Sequence, residues 1–128
     1  MYIEKPLANQ NYIKPDETKL TLVGWAVAND TNAKLQILID GNVVNSNITR
    51  VSRADVDKAV SSSYGGTQET PKAGFQSIID ITNYSAGKHT IIVREYSRNN
   101  ELLCDSQVAF LIDNKKYIRK DIYRKACS

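Results

Sequence analysis

Residues 34–48 read KLQILIDGNVVNSNI, and this stretch decides the fold class. Leu35, Ile37 and Ile39 recur at the period of two that a half-buried β-strand shows. The segment DGN at 40–42 predicts a tight turn, because Gly41 tolerates the positive φ that such a turn needs. A second strand at residues 43–48 then completes a β-hairpin.

Five more runs of the chain have strand character, and Gly, Pro, Asn and Ser separate them. They lie at residues 2–4, 19–28 (KLTLVGWAVA), 74–81 (GFQSIIDI), 89–96 (HTIIVREY) and 102–112. Pro6 ends the first run, since proline cannot donate to a sheet ladder. About seven short strands with frequent turns predict an all-β, antiparallel β-sandwich rather than alternating strands and helices.

Residues 52–60 (SRADVDKAV) interrupt the strand pattern. Ser52 suits a helix N-cap, Asp55 the first turn, and Val56 lies one helical turn before Val60. These residues predict a short helical turn inside a crossover loop. The polar stretch 61–72 (SSSYGGTQETPK) predicts the rest of that loop.

Length and charge define one domain and a tail. The 128 residues predict a β-sandwich domain over 1–112 and a basic tail or linker over 113–128. Six basic and two acidic residues give the tail a charge of +4, so the domain carries −1 of the total +3. A neutral domain lacks the basic face of a nucleic-acid-binding protein. For the tail a linker is expected, and a basic amphipathic helix on an anionic surface is the alternative.

The chain shows no sign of a metal or cofactor site. Cys104 and Cys127 form no CxxC pair and have no histidine cluster, so we expect no zinc site and no cofactor. Free thiols are expected, with a Cys104–Cys127 bridge as the alternative. No apolar run approaches the ~20 residues of a membrane span. The N-terminus (MYIEKPLANQ) lacks signal-peptide features, which fits an intracellular protein or a piece of a longer exported chain.

A series of short motifs follows one another along the chain. They read GWAVAND at 24–30, ILIDG at 37–41, SRADVDKA at 52–59, Tyr64-Gly65, AGF at 73–75, IDIT at 79–82 and SAGKHTIIV at 85–93. In this order the motifs resemble the immunoglobulin-like repeat modules of large exported proteins of Gram-positive bacteria, over about residues 20–93. The chain departs from that pattern at Ala54 and Tyr84, where the modules usually have Pro and Leu.

The resemblance implies an immunoglobulin-like β-sandwich in a cell-surface or secreted protein, beside polysaccharide-active domains. We therefore expect a non-catalytic accessory module, extracellular or in the cell wall, that binds cell-wall or other polysaccharide or acts as a spacer. The alternative is a protein-interaction module that docks a partner or a sister copy through an edge strand or the loop at 61–72. A monomeric module within a longer chain is expected.

Four residues are candidates for ligand binding: Trp25, Arg53, Asp55 and Tyr64. Trp25 would stack on a sugar if its ring were exposed, but we expect a core tryptophan with Gly24 making room for close packing. Arg53 and Asp55 form a recognition cluster beside Tyr64 or, as we expect, anchor the helical turn. Tyr64 suits either a recognition loop or a sandwich edge.

No residue pattern predicts catalysis. His89 is the only histidine and has no Ser or Cys nucleophile in a motif beside it, so we expect a packed, hydrogen-bonded residue. Asp40 and Asp80 are expected to be strand-end turn residues rather than a glycosidase pair. Gly65-Gly66 lacks the Lys-Ser/Thr of a phosphate-binding loop.

Overall fold

A computed structural model describes residues 1–27, 33–53, 55 and 73–114, and within these ranges the chain forms nine β-strands. They are β1 (Tyr2–Lys5), β2 (Gln10–Lys14), β3 (Lys19–Trp25), β4 (Lys34–Ile39), β5 (Asn42–Val43), β6 (Thr49–Val51), β7 (Gly74–Asp80), β8 (Gly87–Tyr96) and β9 (Leu102–Asn114). One sheet has the order β1-β3-β7-β6 and the other β2-β9-β8-β4-β5. The predicted immunoglobulin-like β-sandwich is confirmed.

The hairpin at residues 40–42 forms as its sequence predicts. Ile39 pairs with Asn42 between β4 and β5, and Asp40 and Gly41 have φ angles of 52° and 83°. The second strand of the hairpin ends at Val43, however, and not at residue 48. After β5 the chain leaves this sheet and crosses to the other, where β6 pairs with β7.

Within the described ranges, two strands add to the expected count of about seven. β6 is one, and β2 is the other. β2 runs parallel to β9, with Tyr12 opposite Ile112, so one pairing departs from the antiparallel expectation. The N-terminal chain therefore contributes a strand to each sheet, β1 before Pro6 and β2 after it.

Several predicted segments fall outside the described residues. Apart from residues 52, 53 and 55, the expected helical turn at 52–60 is among them, as are the loop at 61–72 and residues 115–128 of the tail. β9 continues to Asn114, two residues past the expected end of the domain at 112.

The core consists of the inward-facing side chains of both sheets. Alternation along β3 buries Leu20 and Leu22 completely, and the alternation along β7 and β9 does the same for Phe75 and Phe110. Burying each of these side chains contributes about 1.5–3 kcal/mol. The other core side chains are Ile3, Tyr12, Ala26, Ile37, Ile39, Ile79, Ile81, Ile91, Val93 and Ile112.

Gly24 allows β1 to lie close to β3. A Cβ at this position would overlap the Tyr2 carbonyl oxygen of β1 and lie 2.6 Å from Cζ of Phe75 and 3.2 Å from Cα of Ile3. Two of these neighbours are backbone and the third is a packed core ring, so they cannot move aside easily. The expected role of Gly24 in close packing is confirmed.

An ion pair crosses the interior near one end of the sandwich. Glu95 of β8 is fully buried, and its Oε2 lies 3.7 Å from Nη1 of Arg50, which β6 contributes from the other sheet. Nη2 of Arg50 also donates to the carbonyl oxygens of Ala26, at 2.6 Å, and Ala73, at 3.2 Å. Burial lowers the pKa of Arg50, while the negative charge of Glu95 opposes this.

Cys104 of β9 lies beside this ion pair. Its thiol is free and donates to Oε1 of Glu95 at 3.4 Å. Burial, reinforced by Glu95, raises the pKa of the Cys104 thiol to about 11. The thiol therefore stays protonated at neutral pH and serves as a hydrogen-bond donor.

We predict that Gly24→Ala destabilises the fold by about 1–3 kcal/mol, because the new methyl group overpacks the contact between β1 and β3. Urea unfolding measures this change. Thr21→Val, which keeps the β-branched shape at an exposed position on the same strand, is the matched control and should stay close to wild type. Equal stability of the two variants would show that β1 does not lie against Gly24.

We predict that Arg50→Met costs about 3–5 kcal/mol, since it leaves the Glu95 carboxylate buried without its partner. The double variant Arg50→Met, Glu95→Met should recover most of that loss, because it removes both charges together. A double-mutant cycle from urea unfolding measures the coupling. Additive losses would contradict a direct interaction across the interior.

Candidate ligand-binding groove

A groove of about 660 Å³ lies on the outer side of the four-stranded sheet. Its floor includes Thr21 of β3 and three outward-facing residues of β7, Gln76, Ile78 and Asp80. One wall is the crossing segment between β5 and β6 together with Thr49, the first residue of β6. The volume is in the range of small-molecule sites, which are about 300–1,000 Å³.

The groove exists because β6 covers only half of β7. The pairing runs from Val51 opposite Gly74 to Thr49 opposite Gln76 and then stops. Beyond that point the crossing segment is held by side chains. Ser46 Oγ lies 2.6 Å from Ser77 Oγ and donates to the Ile78 carbonyl oxygen at 3.1 Å. Because no strand pairs with β7 on this side beyond Gln76, the groove remains open beside the second half of β7.

Asp80 is the one ionisable residue among those described as lining the groove, and both oxygens of its carboxylate accept hydrogen bonds. Oδ2 accepts from Nζ of Lys19 at 3.0 Å, and Oδ1 accepts from the backbone N–H of Thr82 at 2.9 Å and its hydroxyl at 2.5 Å. The Thr82 bonds, with Lys19, lower the pKa of Asp80 well below its ordinary value. Asp80 is thus a strand-end turn residue, as expected.

Five hydrogen-bonding side chains in the groove are exposed and make no hydrogen bond to other described parts of the chain. They are Thr21, Asn45, Asn47, Thr49 and Gln76. Three carboxamides and two hydroxyls present both donors and acceptors. Ile78 lies among them with 67% of its surface exposed. The groove therefore offers neutral polar groups around the exposed side chain of Ile78, with the partly buried Val44 also in its lining.

Arg53 links the segment after β6 to the opposite edge of the sheet. Its guanidinium contacts both carboxylate oxygens of Glu4 in β1 and donates to the two oxygens of Asp55 at 3.1 and 3.0 Å. Hydrogen bonds to Asp55 and then to Glu4 raise the pKa of Arg53. The side chain lies over Gly74, where an added Cβ would come within 2.6 Å of Cγ of Arg53.

Arg53 and Asp55 are therefore brought together, but their charges are directed at each other and at Glu4. This contact is the anchoring arrangement that their sequence positions suggested. Tyr64, the third member of the expected cluster, lies outside the described residues. A role for Arg53, Asp55 and Tyr64 in ligand binding stays a prediction.

Trp25 occupies the outer face of the four-stranded sheet, so the expectation of a core tryptophan is wrong. Gly24 faces the interior against Phe75, and alternation turns Trp25 outward, where it pairs with Tyr2 and Gly74 and is half-buried. Tyr2 is 58% exposed beside it. Trp25 and Tyr2 thus lie on the same face of the sheet as the groove, beyond the end of the groove at Gln76.

His89 is buried, with 7% of its surface exposed, and both ring nitrogens face acceptors. Nδ1 lies 2.5 Å from Oδ2 of Asp40, and Nε2 lies 2.7 Å from the Ser85 carbonyl oxygen. Phe110 stacks on the ring and Tyr84 meets it edge-on. The expectation that His89 is a packed, hydrogen-bonded residue is confirmed.

The geometry around His89 favours the imidazolium form. Burial opposes the charge, but hydrogen bonds to Asp40 and Ser85 outweigh it and raise the pKa of His89, while Lys14 acts in the opposite direction. Desolvation likewise opposes the charge of Asp40, but bonds from His89 and the Thr90 N–H lower the pKa of that carboxyl. Asp40 and His89 thus form an ion pair between the start of β8 and the turn that follows β4.

Sequence reasoning missed the groove residues, although one signal pointed to them. Ile78 and Ile79 are adjacent in a strand, so only one of them can face the core. The other must lie exposed on the outer face, and in the structure that residue is Ile78. Nothing in the local pattern shows that Asn45 and Asn47 come to lie beside it.

No family model matches the chain, and no curated protein sequence matches it. The chain is similar to a solved structure of the fibronectin(III)-like modules of Clostridium thermocellum CbhA, with 15% identity and a TM-score of 0.53, over 88% of this chain and 94% of that one. It is also similar to CopC from Methylosinus trichosporium OB3b, with 16% identity and a TM-score of 0.41, over 86% and 88% of the two chains. The first likeness supports the fold.

Among the described residues, no group of three or more His, Cys, Asp or Glu side chains lies close enough together to hold a metal ion. No helix in this part of the chain has the length and apolar character needed to cross a membrane.

We predict that the stability supplied by His89 is fully present below about pH 6.5, its ordinary pKa, and is lost as the pH rises through the raised pKa of the folded state. The chain has a single histidine, so one imidazole NMR resonance reports the titration directly. Asp40→Asn should bring the pKa back toward the ordinary value. A wild-type imidazole that titrates at or below the ordinary value would contradict the ion pair.

Proposed function

We propose that this chain is a non-catalytic accessory module of an exported bacterial protein and that it binds cell-wall or other polysaccharide. The observation that carries this proposal is the groove, because its free side chains are carboxamides and hydroxyls around an exposed isoleucine. Such groups match a ligand covered with hydroxyls. The extracellular or cell-wall setting follows from the resemblance to modules of exported proteins.

The same groove supports binding without cleavage. Glycoside hydrolysis generally uses two carboxyl groups, one of which donates a proton. Of the described residues that line the groove, Asp80 alone carries a carboxyl group, and Lys19 and Thr82 keep it ionised. A carboxylate with a lowered pKa does not serve as a general acid at neutral pH.

A second candidate function is docking of a partner protein, and the open edge of β7 favours it. β6 pairs only with Gly74, Phe75 and Gln76, so the strand edge from Ile78 to Asp80 lacks a neighbouring strand in the described part of the chain. Short strand edges can accept an added strand, which here would displace the Ser46 hydroxyl from the Ile78 carbonyl oxygen. Self-association in sedimentation velocity would favour this function over polysaccharide binding.

The test is retention of the purified protein on insoluble polysaccharides and bacterial wall fractions, together with an assay for new reducing ends. We expect retention on at least one fraction and no release of reducing ends. Bovine serum albumin serves as the control for unspecific retention. Retention on no fraction would contradict polysaccharide binding and leave the spacer function and partner docking, and release of reducing ends would show an enzyme.

A further inference from the structure

We infer that the ligand of the groove is an uncharged polysaccharide chain that lies along β7, hydrogen bonded by Gln76 and Asn47 and packed on Ile78. This inference rests on the proposed function and adds the chemical class of the polysaccharide and the side chains that bind it. It distinguishes neutral polymers from the phosphate- or carboxylate-bearing polymers of a cell envelope.

The charge of the groove favours an uncharged ligand. Recognition of phosphate or carboxylate uses Arg or Lys side chains, which supply charge-assisted hydrogen bonds. None of the described residues that line the groove is basic. Lys19 lies next to the groove, but its Nζ is bonded to Asp80. Farther along the same face, Arg53 is engaged by Glu4 and Asp55. An anionic polymer would therefore find no uncommitted cation in the described lining of the groove, and Lys19 would have to leave Asp80 to bind it.

The polar side chains of the groove differ in whether they already have hydrogen-bond partners. Ser46 and Ser77 are occupied with each other, with the Asn47 carbonyl oxygen and with the Ile78 carbonyl oxygen. The carboxamides of Asn47 and Gln76 are exposed and have no hydrogen-bond partner in the described part of the chain. A carboxamide can donate to and accept from the same sugar, since a hydroxyl does both.

Ile78 gives the groove an apolar surface. It is 67% exposed on the floor of the groove, between residues whose side chains face the interior. A sugar ring has an apolar C–H face, and covering an exposed apolar side chain with it is favourable. From Gln76 to Asp80 the floor extends about 13 Å along the strand, which is longer than one sugar ring. The shape therefore suits several linked sugars.

The test uses the insoluble polysaccharide or wall fraction that retains the wild-type protein in the assay described above. Binding isotherms are measured on that fraction at about 0.05 and 1 M NaCl, because high salt screens the attraction to an anionic polymer. A neutral ligand predicts affinities that agree within about twofold at the two salt concentrations, since no ion pair is made.

Two groove variants locate the site. Gln76→Ala should weaken binding about 3- to 10-fold, the effect of losing one neutral hydrogen bond. Ile78→Asp should abolish measurable binding, because it replaces the apolar floor with a second carboxylate beside Asp80. Gln107→Ala is the matched control, an exposed glutamine on the outer face of the other sheet, and should bind like wild type. Thermal unfolding confirms that each variant is folded.

Two results would overturn the inference. One is a strong loss of affinity at 1 M NaCl, which would show an anionic ligand. The other is wild-type affinity in both groove variants, which would place the site elsewhere on the molecule while the proposed function stands. If the wild-type protein is retained on no fraction at all, the proposed function itself fails.

Discussion

The structure depends on one constraint, which is that each strand sends alternate side chains to the interior and to the solvent. The two sheets pack because the inward positions are almost all apolar, as with Leu22, Phe75 and Phe110. The same alternation assigns every other residue to an outer face. A binding surface on this molecule must therefore be built from outward-facing residues, and Gln76 and Ile78 owe their positions in the groove to their inward-facing neighbours.

In the described part of the chain, the two buried ionisable side chains of the interior, Glu95 and His89, each lie beside a side chain of opposite charge. Glu95 faces inward at a position where alternation calls for an apolar side chain, and Arg50 reaches it from the other sheet. His89 faces inward near the opposite end of the same strand and is paired with Asp40. Buried charges are tolerated because they are paired, and both pairs join residues far apart in the sequence. The charges of both pairs therefore stabilise the contacts within the fold.

Local sequence patterns predicted the sandwich and the turn at Gly41, since alternation and turn chemistry depend on neighbouring residues. They did not predict β2, because its pairing with β9 depends on residues about a hundred positions away. The placement of Trp25 failed for a related reason. Its size favoured the core, but Gly24 takes the inward position and turns the ring outward. The groove was also missed, because Asn47 meets β7 only through the crossing between the sheets.

The most direct measurement of the central claim is an NMR titration of the isotope-labelled protein with soluble fragments of the polysaccharide that it retains. Binding on the outer face of the four-stranded sheet predicts amide shift changes in β7, in the neighbouring part of β3 and in the segment from Asn45 to Asn47. The amides of β8 and β9 should stay unchanged, because they belong to the other sheet. Shift changes concentrated in β8 and β9, with none in β7, would contradict the claim.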